Sequence, residues 1–177
     1  MISSHESRLY EIVFPSENDE ALLNLAATLI NYFAEQGIML AVTADQLAKI
    51  ASQGMLALAV DEKETLIGTA AVTFEYPDGT LEFGGWAVSP NTQAKGVGKG
   101  LLQAILSRTN GKRLVAFGNA NSAPIFEKYG ATEIDQRQMH PDAFVMCQTC
   151  GCKHKEDLPE GKSCVDTIYD LKPVKVK

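Results

Sequence analysis

The chain has 177 residues, of which 45% are hydrophobic and 21% charged, and a formal net charge of −6. This is ordinary globular composition, sufficient for one domain with a proper core, and its acidity disfavours a nucleic-acid partner while tolerating cationic acceptors such as amines. The start, MISSHESRLYEIVF, has no basic leader region, and no run of about 18 apolar residues occurs, so the expectation is a cytoplasmic protein without signal peptide or membrane span.

Taken in order, Leu9 to Phe14 reads as a first strand after a loose start. Ser16 or Asn18 can cap a helix that runs to Gln36 and stops at Gly37, with Leu22, Leu25, Ala26, Leu29, Ile30 and Phe33 as its buried stripe. Thr43 and Gln46 form a capping-box pattern for a second helix, with Leu47 and Ile50 inward and Gly54 as its stop. The connection 38–42 is apolar for a loop and could line a pocket. Met55 to Val60 turns through residues 61–64 into Leu66 to Tyr76, and Pro77-Asp78-Gly79 makes a tight turn into Leu81 to Val88. A helix starting at Val97 or Gly98 places Val97, Leu101, Leu102, Ile105 and Leu106 on one face and ends at Asn110-Gly111. Arg113 to Phe117 reads as a strand, Ser122 to Tyr129 as a helix stopped by Gly130, and Thr132 to Met139 and Val165 to Leu171 as the last strands. A right-handed crossover through the helix at 97 makes the strands at 81 and 113 parallel neighbours. The sum is a single α/β domain over 1–177, a mixed and mostly antiparallel sheet with helices on both faces.

Between strand and helix lies Gln93-Ala94-Lys95-Gly96-Val97-Gly98. Gly96 and Gly98 lack the Cβ that would block close approach, so backbone N–H groups can face a phosphate at the positive end of the helix, with Lys95 and Lys99 adding charge. No Gly-Lys-Ser/Thr follows, which excludes a P-loop, and no acidic residue ends a second parallel strand at dinucleotide-fingerprint spacing. The loop instead resembles the Gln/Arg-x-x-Gly-x-Gly/Ala signature of the GNAT family, the Gcn5-related N-acetyltransferases. The likeness extends to Ala87-Val88-Ser89-Pro90 before the loop and to the segment Asn119 to Gly130, NANSAPIFEKYG, after it.

The resemblance implies that the loop holds the pyrophosphate of acetyl-coenzyme A. It also implies that the parallel pair splays to admit the pantetheine arm, that a bulge at Gly84-Gly85 presents the N–H groups of Trp86, Ala87 and Val88, and that Asn119 contacts the coenzyme. The alternative for Gly84-Gly85 is close packing. Glu82 stands five residues before Ala87, where histone-acetylating members carry their catalytic glutamate, and Glu75 is a second choice for the base. Trp86 walls the acceptor pocket or fills core; the residues leave both open. Phe126 falls where many members have a tyrosine that protonates the leaving thiolate. Phenylalanine has no proton to give, which leaves Tyr129, three residues on, as the nearby candidate acid.

All four cysteines, Cys147, Cys150, Cys152 and Cys164, lie in one window, within a flap over 140–164. Cys147-x-x-Cys150-Gly resembles a zinc knuckle, with His140 and His154 as substitute ligands; a redox dithiol or unligated thiols are the alternatives. The expectation is an N-acetyltransferase that moves acetyl from acetyl-CoA to a small-molecule or peptide amine without a covalent intermediate. A homodimer is also among the expectations, since the family often dimerises. The competing reading is a non-catalytic acyl-CoA sensor or scaffold with a zinc-stabilised flap.

Overall fold

The computed structural model describes residues 10–92, 96–145 and 166–171. Its strands are β1 (Tyr10–Val13), β2 (Leu56–Asp61), β3 (Leu66–Glu75), β4 (Leu81–Val88), β5 (Leu114–Gly118), β6 (Thr132–Ile134) and β7 (Thr167–Leu171). They form one mixed seven-stranded sheet in the order β1-β2-β3-β4-β5-β7-β6, with β4 and β5 as the parallel pair. The helices are α1 (Glu20–Ala34), α2 (Ala44–Ser52), α3 (Val97–Arg108) and α4 (Ala123–Lys128). Among the described residues no helix is long and apolar enough to cross a membrane. Contacts divide the chain into two compact units, Met1–Ala71 with Gly85–Ile105, and Val72–Gly84 with Leu106–Lys177.

In the first unit, α1 and α2 cover one face of the sheet. Leu23, Ala26, Ala27 and Ile30 of α1 pack with Leu47 and Ala51 of α2 over Leu56, Leu58, Ala71 and Ala87. The opposite face takes α3, because a Cβ on Gly68 would lie 2.9 Å from Leu101 and 3.0 Å from Val97. Helices therefore flank both faces here, as the alternation of strand side chains requires. The buried stripe of α1 is rotated from the expected one: Leu23 and Ala27 point inward, whereas Leu25 is 51% exposed. Both stripes have helical spacing. The N-terminus also differs. Asp19 precedes α1 without a side-chain cap and instead accepts the Ser16 N–H at 2.7 Å. The α2 capping box forms as expected, with Thr43 and Gln46 bonded to each other's backbone. Within 38–42, Val42 exchanges two hydrogen bonds with the Asn31 amide, which ties the connection to α1.

In the second unit, β5 pairs with β7 over five residues and β6 closes the edge on β7. One face carries α4, whose Phe126 packs against Phe83 and Tyr169 at centroid distances of 6.2 and 5.6 Å. The other face carries Tyr76, Val115 and Ile168 packed with Met139 and Ala143. The last expected strand before the flap is much shorter than read. β6 ends at Ile134, because Asp135 accepts the Arg137 N–H and starts a 3-10 turn at 136–138, and a second one follows at Pro141–Phe144. Asn110 and Gly111 stop α3 with left-handed φ values of 51° and 79°.

The two strand glycines of β4 have separate reasons. A Cβ on Gly84 would stand 2.8 Å from Thr73 Cγ2, so Gly84 serves close packing. Gly85 has φ of 57°, a left-handed residue of the kind that marks a bulge, and Thr69 donates its hydroxyl to the Gly85 carbonyl at 2.6 Å. Parallel pairing with β5 covers Leu81↔Leu114, Glu82↔Val115 and Phe83↔Ala116 and ends there, one residue before Gly84. Gly84→Ala is expected to cost about 1–3 kcal/mol in urea unfolding. Adding Thr73→Ser, which removes the opposing methyl, should recover part of that loss. Equal destabilisation in both backgrounds would show that the methyl is not the obstacle.

Candidate active site

The glycine-rich turn belongs to the first unit. Gln93, Ala94 and Lys95 lie outside the described residues; the turn is described from Gly96 onward. Gly96 has φ of 77°, and its carbonyl accepts the Gly100 N–H at 3.0 Å, which makes it the cap of α3. The amides of Val97, Gly98 and Lys99 then have no carbonyl within the helix to bond, and they stand at its positive end. A Cβ on Gly96 would meet nothing within 4 Å. The space beside the turn is open, and glycine is demanded by the backbone conformation rather than by crowding.

Two aromatic side chains close on this turn. The Trp86 indole donates to the Gly98 carbonyl at 3.1 Å, and a Cβ on Gly98 would lie 3.2 Å from Trp86 Cζ2. Tyr10 donates its hydroxyl to the Gly96 carbonyl at 3.1 Å, and a Cβ on Gly100 would lie 2.5 Å from that hydroxyl. Gly98 thus has a packing reason to be glycine. Trp86 is half-buried against the turn, Ala87 is buried in the core under α1 and α2, and Val88 is half-buried. Tyr10 was not singled out in the sequence, because nothing in a short first strand signals which helix it will meet.

Glu82 lies in the second unit, on the β4 position paired with Val115. Tyr76 donates its hydroxyl to Glu82 Oε2, and Thr73 donates to Oε1 at 3.1 Å. Burial pushes the Glu82 carboxyl above its ordinary value, and the hydroxyls of Tyr76 and Thr73 pull partly back. A carboxylate raised toward the working pH yet still hydrogen-bonded is suited to taking a proton from an amine. Glu75, the second choice, instead holds Lys112 at 2.5 Å with both side chains about half exposed. The partners of Glu82 were missed in the sequence. The available signal was the Pro77-Asp78-Gly79 turn, which folds Tyr76 back toward the following strand.

The segment after β5 places its residues as follows. Asn119 Oδ1 accepts the N–H groups of Asn121 and Ser122 at 2.9 and 3.2 Å, so its oxygen organises the turn into α4. Phe126 is only 3% exposed, in the cluster with Phe83 and Tyr169. Its ring is a packing element. The neighbouring Tyr169 phenol donates to Glu127 at 2.8 Å and is pushed up to about 12 by burial and by that carboxylate, so it keeps its proton. Tyr129 forms the C-cap of α4 and is half-buried. Cys147, Cys150, Cys152 and Cys164, with His154, lie outside the described residues. Among the described ones no group of three or more His, Cys, Asp or Glu could hold a metal ion.

The sequence profile of the acetyltransferase (GNAT) family matches residues 31–131, more than half of the chain. No curated protein sequence matches it. Among solved structures, N-acetylglutamate synthase from Neisseria gonorrhoeae, complexed with coenzyme A and N-acetyl-glutamate, superposes with a TM-score of 0.71 at 22% identity, over 92% of this chain and 34% of that one. The chain therefore spans about a third of that synthase. A Mycobacterium tuberculosis protein in complex with CoA gives 0.64 at 19% identity, over 91% and 98%. Diaminobutyrate acetyltransferase from Paenibacillus lautus, in complex with its substrate and coenzyme A, gives 0.60 at 12% identity, over 95% and 97%. These likenesses show the fold, and the profile match shows the family: the chain belongs to the GNAT family of acetyltransferases.

Proposed function

We propose that the protein transfers an acetyl group from acetyl-CoA to an amine by direct attack, with the first turn of α3 holding the coenzyme's pyrophosphate and Glu82 taking the amine proton. The observation that carries this reading is the turn itself. Gly96 is left-handed, the side of the turn it faces is open, and the next three amides stand at a helix N-terminus. Such a site suits phosphate oxygens without further side chains. Gln93, Ala94, Lys95 and Lys99 are proposed to complete it. Bound acetyl-CoA supplies the activated acyl carbon. What the chain contributes is orientation of the phosphates, a carboxylate of raised proton affinity, and the backbone of Trp86, Ala87 and Val88 beyond the Gly85 kink.

The acceptor is proposed to be a small amine. The Neisseria and Paenibacillus structures carry N-acetyl-glutamate and a diamino acid respectively, so an amine panel starts with glutamate and 2,4-diaminobutyrate. Buried Phe126 favours the second reading, an acyl-CoA sensor, because the position offers no acid. Coenzyme A thiolate is a fair leaving group, however, so loss of the acid slows transfer rather than forbidding it. Tyr129 remains the proposed donor if one is used. Thiol release from acetyl-CoA across the amine panel decides: amine-dependent release supports the enzyme, and tight coenzyme binding without release supports the sensor.

Glu82→Gln should lower kcat by about 100-fold or more with unchanged coenzyme affinity. Because the group must be deprotonated to act and its folded value is raised, kcat/KM should fall as pH drops through a point above the ordinary glutamate value of 4.5. A pH-independent loss below threefold would remove Glu82 from the chemistry.

At Gly96, asparagine tolerates the left-handed backbone and valine does not. Gly96→Asn should therefore retain most coenzyme A affinity by calorimetry, and Gly96→Val should lose about tenfold or more, the equivalent of ~1.4 kcal/mol. Equal affinities for all three proteins would take the turn out of the site.

For the cysteine window, the proposal rests on spacing alone: Cys147, Cys150, Cys152 and Cys164 hold one structural zinc. Elemental analysis of reduced protein purified without chelator should find about one zinc per chain, released by Cys150→Ser. Metal-free protein with four titrating thiols would overturn it.

A further inference from the structure

We propose that Tyr76 and Thr73 are positioning residues for Glu82: together they hold both oxygens of its carboxylate, fixing its orientation and keeping it ready to accept a proton. The inference deepens the reading of Glu82 as the base and rests on it. The geometry is a two-sided clamp. Tyr76 donates to Oε2, and Thr73 donates to Oε1 at 3.1 Å while also lying 3.4 Å from the Glu82 carbonyl. Neither donor is a loose surface group. Tyr76 is 3% exposed, its ring packed with Val115, Met139, Ala143 and Ile168 and tilted on Phe74 at 5.0 Å. Its N–H closes the hairpin on the Thr80 carbonyl at 2.8 Å. Thr73 is seated against Gly84, whose missing Cβ makes room for its methyl.

Phenylalanine would fill the Tyr76 site as well as tyrosine does, and a buried phenol is costly unless it is bonded. The hydroxyl is explained by the carboxylate it meets. Among the described residues, several titratable groups of this unit have partners of their own. Asp170, which shares the Val115 register with Glu82, is paired with Arg113 at 3.0 Å, Glu75 holds Lys112, and His140 stands 3.6 Å from Asp142. Asp78 accepts the Thr80 N–H at 2.9 Å in the turn. What sets the Glu82 proton affinity is therefore burial, which raises it, opposed by the two hydroxyls, which favour the charged form. Remove a hydroxyl and burial goes less opposed.

The test uses the full chain with carbon-13-labelled glutamate, the Glu82 carboxyl resonance being assigned by its loss in Glu82→Gln. Tyr76→Phe and Thr73→Val should each raise the titration midpoint of Glu82 by roughly one pH unit. Thr73→Ser, which keeps the hydroxyl, should keep the wild-type midpoint. The acid limb of kcat/KM should move upward in the same two variants, with KM for acetyl-CoA unchanged. Midpoints within a few tenths of wild type in both folded variants would overturn the clamp. Shifted midpoints in a protein whose activity survives Glu82→Gln would instead leave the clamp standing and overturn Glu82 as the base.

Discussion

The contact on which the first turn of α3 depends is the closure of two aromatic side chains upon it. It works only because glycines alternate there. Gly98 leaves room for the Trp86 indole and Gly100 for the Tyr10 hydroxyl, and each aromatic group bonds a carbonyl of the same turn. A helix start is otherwise the weakest part of a helix, because its first amides are unbonded and its backbone frays. Here the carbonyls are pinned from β1 and β4, which leaves the amides as the part of the turn available to a ligand. Gly96 contributes the remaining requirement, a left-handed cap with open space beside it.

The second unit applies the same logic to an acid. Glu82 sits on a strand whose neighbours bury it, and burial alone would favour the neutral form. Hydroxyls rather than cations offset this. A lysine or arginine partner would hold the carboxylate strongly ionised and lower its affinity for a proton; two neutral donors orient it with a milder effect. Glu75, on the same hairpin, meets Lys112 with both side chains about half exposed.

Much of this was legible in the residues. The β4 limits, the start of α3, the capping box of α2, the left-handed glycines at 54, 79, 111 and 130, and the parallel pair all followed from local chemistry and chain direction. Two readings failed, for different reasons. Which side of α1 is buried depends on what it packs against, and Leu25 and Leu23 are equally apolar. The shortness of β6 depends on Asp135 capping a turn, which competes with the strand the apolar pattern favours. Glu82, Gly96 and Gly98 could be proposed as site residues from a motif, but the contacts of Tyr10, Thr73 and Tyr76 could not be read, because they arise from side-chain packing across strands. Phe126 was legible as a departure from the family, and its burial among Phe83 and Tyr169 explains how the fold accommodates it.

The most direct test of the proposed coenzyme site uses the single tryptophan of the chain, Trp86, as its own reporter. Its indole N–H is bonded to Gly98 in the turn proposed to receive the pyrophosphate. Titration of the protein with coenzyme A, followed by tryptophan emission, should give a saturable change, and pantetheine, which lacks the pyrophosphate, should give none at the same concentrations. Emission that is unmoved by coenzyme A while calorimetry shows it bound, or that responds equally to pantetheine, would contradict the placement of the pyrophosphate on the first turn of α3.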